Sequence, residues 1–196
     1  MKPQAFDRSE HVYRNDAFAE LVKDAVRYFN GTPVHTLPPP ESFLGTGVYA
    51  LYYTGSNPLY KRYAELNRLS YGYPIYVGKA VPKGWRQARS SDHALNQSRE
   101  LIGRLREHGR SITLGAELSL GDFMCRFIIF EEEGSDMIST IEAALIKLNK
   151  PLWNTAVDGF ENTTPEAVGT NKQNQIGMSS TKAGLGRINA MENMPK

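Results

Sequence analysis

Among 196 residues there is a single cysteine, Cys125. That excludes an intrachain disulfide, and the histidines at 11, 35, 93 and 108 are too scattered to build a structural zinc site around it. No apolar run approaches the length needed to span a bilayer, and the opening MKPQAFDRSE lacks a secretory signal's apolar stretch. No internal repeat or low-complexity tract is visible. The expectation is a cytoplasmic chain with no membrane partner, built as one domain with embellishments. Hydrophobic residues make up 40% of it, enough for a real core.

A charge excess of one sign is also nearly missing, since the net charge is only +2. The distribution is uneven, however. Residues 79–110 hold eight Lys or Arg against three Asp or Glu, so the remainder is net acidic. A basic segment on a nearly neutral protein can be the electrostatic footprint for a polyanion; a solvated helix face has the same composition.

From Asp16, the residues Phe18, Leu21, Val22, Ala25, Val26 and Phe29 recur at helical spacing until Asn30-Gly31. Such a helix has one apolar stripe, which must cover the chain's own core or meet a second copy. The first ten residues read as a mobile arm. TPVHTLPPPES reads as a proline-rich connector, too stiff for a helix and short of donors for a sheet. Strands are expected over about residues 47–54 and from Pro74 to Lys79, separated by a Tyr-rich insertion, 57–73, with room for one short helix. A Gly-, Ser- and Arg-rich loop over 81–97 leads to a helix at 98–108. FMCRFIIFEE reads as a buried third strand, and Ser135 or Asp136 can cap a helix that runs to about Asn149 and stops before Pro151. Beyond residue 158 the Asn, Gly, Ser and Thr content suggests a poorly ordered tail, or a strap needing a partner. The order β-β-α-β-α implies an α/β class. It divides into an arm and amphipathic helix at 1–40, a core at 41–158 and a tail at 159–196.

Several side chains point to chemistry. Glu142 falls within the helical arc Ile138, Ile141, Leu145, Ile146 and Leu148, where a carboxylate is costly unless paired or bound to a metal. Arg104 and His108, four apart, share one helix face and can address one phosphate, the first as a fixed fork and the second as a proton carrier. An exposed helix face is the plain alternative. Tyr49 and Tyr76 lie on the two strands, where a tyrosine is usually a packing residue. A phenol with a free pKa of about 10 must be helped to act as a base.

Gly47-Val48-Tyr49, Tyr76-Val77-Gly78, the Arg104/His108 helix, Glu142 and Asn154 occur in an order that resembles the GIY-YIG nucleases. Both strand motifs carry Val where the family name has Ile, and the insertion between them is longer than in minimal members. The resemblance implies a three-stranded sheet flanked by helices, with Glu142 as the single ligand of a divalent metal, Mg²⁺ with Mn²⁺ able to substitute. It also implies Tyr49 as general base, Tyr76 orienting water or phosphate, and His108 relaying the proton. A covalent phosphotyrosine intermediate stays open as a lower-ranked alternative. Arg104 and Lys79 would bind phosphate; Asn154 would touch phosphate or support the site.

The nearest resemblance is to type II restriction enzymes of this family that cut the palindrome CCGCGG. This implies double-stranded DNA as substrate, a homodimer on DNA, and a cognate DNA methyltransferase in the same system. Lys83, Arg86, Gln87, Arg89, Asn96 and Gln97 are candidates for DNA contact, with base reading and phosphate positioning weighted equally. A repair or homing nuclease of the family, or a non-catalytic DNA-binding relative, are the rival readings.

Overall fold

The computed structural model describes residues 5–82, 97–115 and 117–155, the side chains of 132 and 133 excepted. Its centre is strand β2 (Thr46–Tyr53), a run of strand-favouring Val, Tyr and Leu whose eight residues are all buried. Such a run has no polar alternation because both of its faces are covered. Tyr49, Leu51 and Tyr53 join Leu101, Leu105 and Ile112 of helix α3 (Glu100–Leu114) in one core. Val48, Ala50 and Tyr52 join a second core with Ile138, Ile141 and Leu145 of α4 (Ile138–Asn149) and Phe29 of α1 (Asp16–Gly31).

The sheet has four strands where three were expected. Its order is β1-β4-β2-β3, from Val34–Thr36, Phe123–Phe130, Thr46–Tyr53 and Tyr76–Ala80, and every pairing is antiparallel. The extra strand, β1, lies inside the stretch expected to be a connector without sheet donors. Prolines at 33 and 38–40 bracket it, but Val34, His35 and Thr36 keep their N–H groups, and an edge strand pairs on one side only. The register sets Tyr49 opposite Gly78 on β3 and opposite Phe127 on β4.

Helix α1 begins at Asn15, whose side chain accepts from Phe18 N at 3.3 Å. Its stripe is divided along its length. Phe29 is buried and Val22, Ala25 and Val26 pack beside it, whereas Phe18 and Leu21 remain 50% and 51% exposed. Before it, the arm forms a 3-10 turn at Arg8–His11 that buries nothing. The insertion holds a 3-10 turn, Pro58–Tyr60, and helix α2 (Lys61–Leu69). Buried Asn67 of α2 donates to Tyr53 O at 3.2 Å and exchanges bonds with the Tyr73 backbone, fastening the insertion to the end of β2.

Three expectations need adjustment. Helix α3 runs to Leu114 rather than stopping at residue 108. Neither Ser135 nor Asp136 caps α4, because a 3-10 turn at Glu132–Met137 takes up both and the helix starts after Met137. Leu148 leaves the apolar arc and is exposed. A short helix α5 (Leu152–Thr155) closes the described chain, and the tail at 159–196 lies outside it. Among the described residues, no helix is long and apolar enough to cross a membrane.

Candidate active site

Strand alternation and helix packing bring three aromatic groups together on the α3 side of the sheet. Tyr49 of β2 and Tyr76 of β3 have ring centroids 6.0 Å apart, and the Tyr76 and His108 rings are 4.9 Å apart. Tyr49 Oη lies 2.8 Å from His108 Nε2, a buried hydrogen bond. Leu101 and Leu105 seat α3 on the sheet, and the helical repeat then carries His108 down onto the tyrosines with Arg104 one turn before it.

The glycine of Tyr76-Val77-Gly78 makes this possible. A Cβ at Gly78 would stand 2.8 Å from Tyr49 Oη and 2.8 Å from Tyr76 Cε1. Both rings occupy the space a side chain there would need.

Burial governs the protonation of this group. The Tyr49 phenol is held well above the usual tyrosine range by burial, by Tyr76 beside it and by the charge of Glu142, with Arg104 opposing. Burial, assisted by Arg104, lowers His108 to about 4. At neutral pH the pair is therefore a protonated phenol and a neutral imidazole. In the Nδ1–H tautomer the phenol donates and Nε2 accepts. Tyr49 and Tyr76 are both buried, at 2% and 7% exposed.

Lys79 and Glu142 meet from the other side of β3. Lys79 alternates with Gly78 and faces α4, where its Nζ forms an ion pair with Glu142 Oε2. The two side chains are 21% and 17% exposed. The acid in the apolar arc is thus paired, and its partner is the residue following the second motif. Arg104 Nη1 forms an ion pair with Glu107 Oε2 at 2.9 Å, a more open contact.

Asn154 and its neighbour bond to β3 along the edge that β2 does not occupy. Asn154 Oδ1 accepts from Val77 N and Nδ2 donates to Val77 O, both at 2.8 Å, while Trp153 N donates to Ile75 O at 2.9 Å. The side-chain amide behaves like a residue of an adjoining strand, with both ends committed to the backbone that carries Tyr76.

Among the described residues, no group of three or more His, Cys, Asp or Glu could hold a metal ion. Of the DNA-contact candidates, Gln97 is exposed just before α3, where Gly45 N donates to Ser98 O at 2.6 Å and ties the loop's exit to the entry of β2. Lys83, Arg86, Gln87, Arg89 and Asn96 lie outside the described residues.

Sequence reasoning missed the direct contact of Lys79 with Glu142 and the hold of Asn154 on Val77, because neither long-range pair has a local signal. It also missed Glu107 as the partner of Arg104, which the three-residue spacing on one helix does announce. Residues 41–192 match the family model described as the Eco29kI GIY-YIG domain. No curated protein matches the chain.

Proposed function

Because the chain belongs to the Eco29kI GIY-YIG domain family, a restriction-enzyme-like family of DNA endonuclease domains, we propose that it is a type II restriction enzyme. It hydrolyses phosphodiester bonds on both strands of a palindromic, GC-rich site such as CCGCGG, using one Mg²⁺ per active site, with Mn²⁺ able to substitute. It acts in the cytoplasm as a homodimer on DNA, beside a methyltransferase that protects the same site. The observation that carries this reading is the buried Tyr49–His108 hydrogen bond, with Arg104 on the same helix as His108 and the charges of Arg104 and Glu142 both acting on the Tyr49 phenol.

Glu142 suits a hard divalent ion. Its carboxylate already faces a cation, the ammonium of Lys79, and Mg²⁺ is commonly held by one or two carboxylates, with water and substrate phosphate completing its shell. Once bound, the ion would supply Lewis-acid stabilisation of the phosphate and the leaving oxygen. The protein's own groups do the rest. Tyr49 takes a proton from the attacking water while passing its own to His108 Nε2, so the pair acts as the base and no free phenolate is required. Arg104 and Lys79 offset negative charge on the phosphate. Asn154 keeps the strand carrying Tyr76 in place and is a positioning residue.

Plasmid DNA incubated with the protein and Mg²⁺ tests the reading. Discrete fragments support site-specific cutting. A smear points to a repair- or homing-type nuclease, and intact plasmid with a gel shift points to a DNA-binding relative. Glu142→Gln should nearly abolish cleavage without loss of DNA binding; cutting at the unsubstituted rate would remove Glu142 from the metal site.

A further inference from the structure

The ion pair between Lys79 and Glu142 raises a question that a metal at Glu142 does not answer: what compensates this carboxylate before the metal arrives. Glu142 is 17% exposed and lies beside buried Ile138, Ile141 and Leu145, where a bare carboxylate is destabilising. Lys79 supplies the compensation. A second cation on the same carboxylate would be repelled by the ammonium already held at Oε2, so the two compete for Glu142.

We propose that Lys79 is a placeholder: its ammonium occupies Glu142 in the metal-free protein and transfers to a DNA phosphate when a divalent ion takes the carboxylate. This rests on the metal reading above. The backbone of Lys79 cannot follow the ammonium, because β3 is paired with β2 on one side and its other edge is held at Ile75 and Val77 by Trp153 and Asn154. The move is therefore a swing of the flexible stem, which a lysine allows and a planar, forked arginine suits less well. Metal occupancy and phosphate binding then become linked: each cation displaced from Glu142 becomes a cation available to DNA.

Two measurements that do not use cleavage test this. In the first, Mn²⁺ binding to the DNA-free protein is followed by electron paramagnetic resonance. Lys79→Met should bind Mn²⁺ at least about threefold more tightly, the scale of a modest ion pair. In the second, affinity for a mixed-sequence duplex containing CCGCGG is measured in chelator over a range of salt. Glu142→Gln releases Lys79, so affinity should rise and the slope of log K against log salt should steepen by about 0.9, one phosphate contact. Added to Lys79→Met, the second substitution Glu142→Gln should give neither gain: K79M/E142Q should match Lys79→Met in affinity and slope.

Unchanged or weaker Mn²⁺ binding in Lys79→Met overturns the proposal, as does a DNA gain of the same size when Glu142→Gln is added to Lys79→Met, which would reflect simple loss of a negative charge. If Mn²⁺ binds the unsubstituted protein no better than Glu142→Gln, the metal assignment fails and the placeholder with it. If Mn²⁺ binding depends on Glu142 but is indifferent to Lys79, only the placeholder fails. Lys79→Gln is the second truncation should the Met variant not fold.

Discussion

Asn154 holds the backbone of Val77 at both of its polar groups, accepting from the N–H and donating to the carbonyl at 2.8 Å each. The two residues are far apart in the chain, yet this side chain extends the sheet past its last strand. Because its amide is fully engaged with backbone, its substitution should register first as a loss of stability. Asn154→Ala should destabilise the protein by about 1–3 kcal/mol, the cost of leaving backbone partners unsatisfied. Urea unfolding of the variant checks this. A variant as stable as the unsubstituted protein would point instead to a direct role at the phosphate.

Tyr49→Phe removes one hydroxyl and retains the ring that packs over Gly78. The fold and DNA binding should survive, while single-turnover cleavage should slow by about 10²–10⁴, the range for loss of a general base. A loss below about tenfold, within reach of a single ordinary hydrogen bond, would leave Tyr49 a positioning residue.

His108 predicts a pH dependence of stability. Its folded-state value of about 4 lies below the usual 6.5, because burial disfavours the charged ring. Between those values the unfolded chain binds the proton and the folded protein does not. Stability is therefore fully retained above pH 6.5, declines as the pH falls towards 4, and loses nothing further from this group below that. The total is on the order of 3 kcal/mol. Urea midpoints for the unsubstituted protein and His108→Gln at pH 5 and pH 7 should show a smaller drop in the variant; equal drops would mean that the ring protonates within the fold.

The half-exposed end of the α1 stripe gives the dimer proposal its target. Phe18 and Leu21 are 50% and 51% exposed, so F18E/L21E should leave the monomer folded and weaken pairing on DNA. Phe29 is unsuitable for this test, being buried in the chain's own core. Light scattering with a catalytically inactive protein and a CCGCGG duplex should give two chains per duplex, reduced by the double substitution. A 1:1 complex that only nicks DNA would end the symmetric model.

How far the molecule was legible from sequence differs with the kind of contact involved. Helix α1 was legible because Phe18 through Phe29 recur at one period, and β2 because a run of strand formers leaves little else to build. Strand β1 was hidden by the surrounding prolines, which dominate local reading although the three residues between them keep their donors. The extent of α3 was obscured by Gly109 and Ser111, both weak helix formers. Gly109 has a different purpose: a Cβ there would come within 3.1 Å of Pro38 Cδ, so the helix continues past a glycine placed for close approach. Motif order named Tyr49 and His108 in advance, but their hydrogen bond and the Lys79–Glu142 ion pair join positions 59 and 63 residues apart, which only tertiary packing brings together.

Strand β2 is buried along its whole length and hydrogen-bonded to a neighbour on each side. Its amides should exchange with solvent deuterium only when the entire domain opens, since no smaller fluctuation frees a central strand. Tyr49 should thus be anchored in a segment that opens only with the domain as a whole. Lys79, Arg104 and Glu142 reach the site on longer side chains from an edge strand and two helices. Adjustment to a bound duplex therefore falls to rotamers around a fixed phenol, and the sheet serves as the reference frame against which they move.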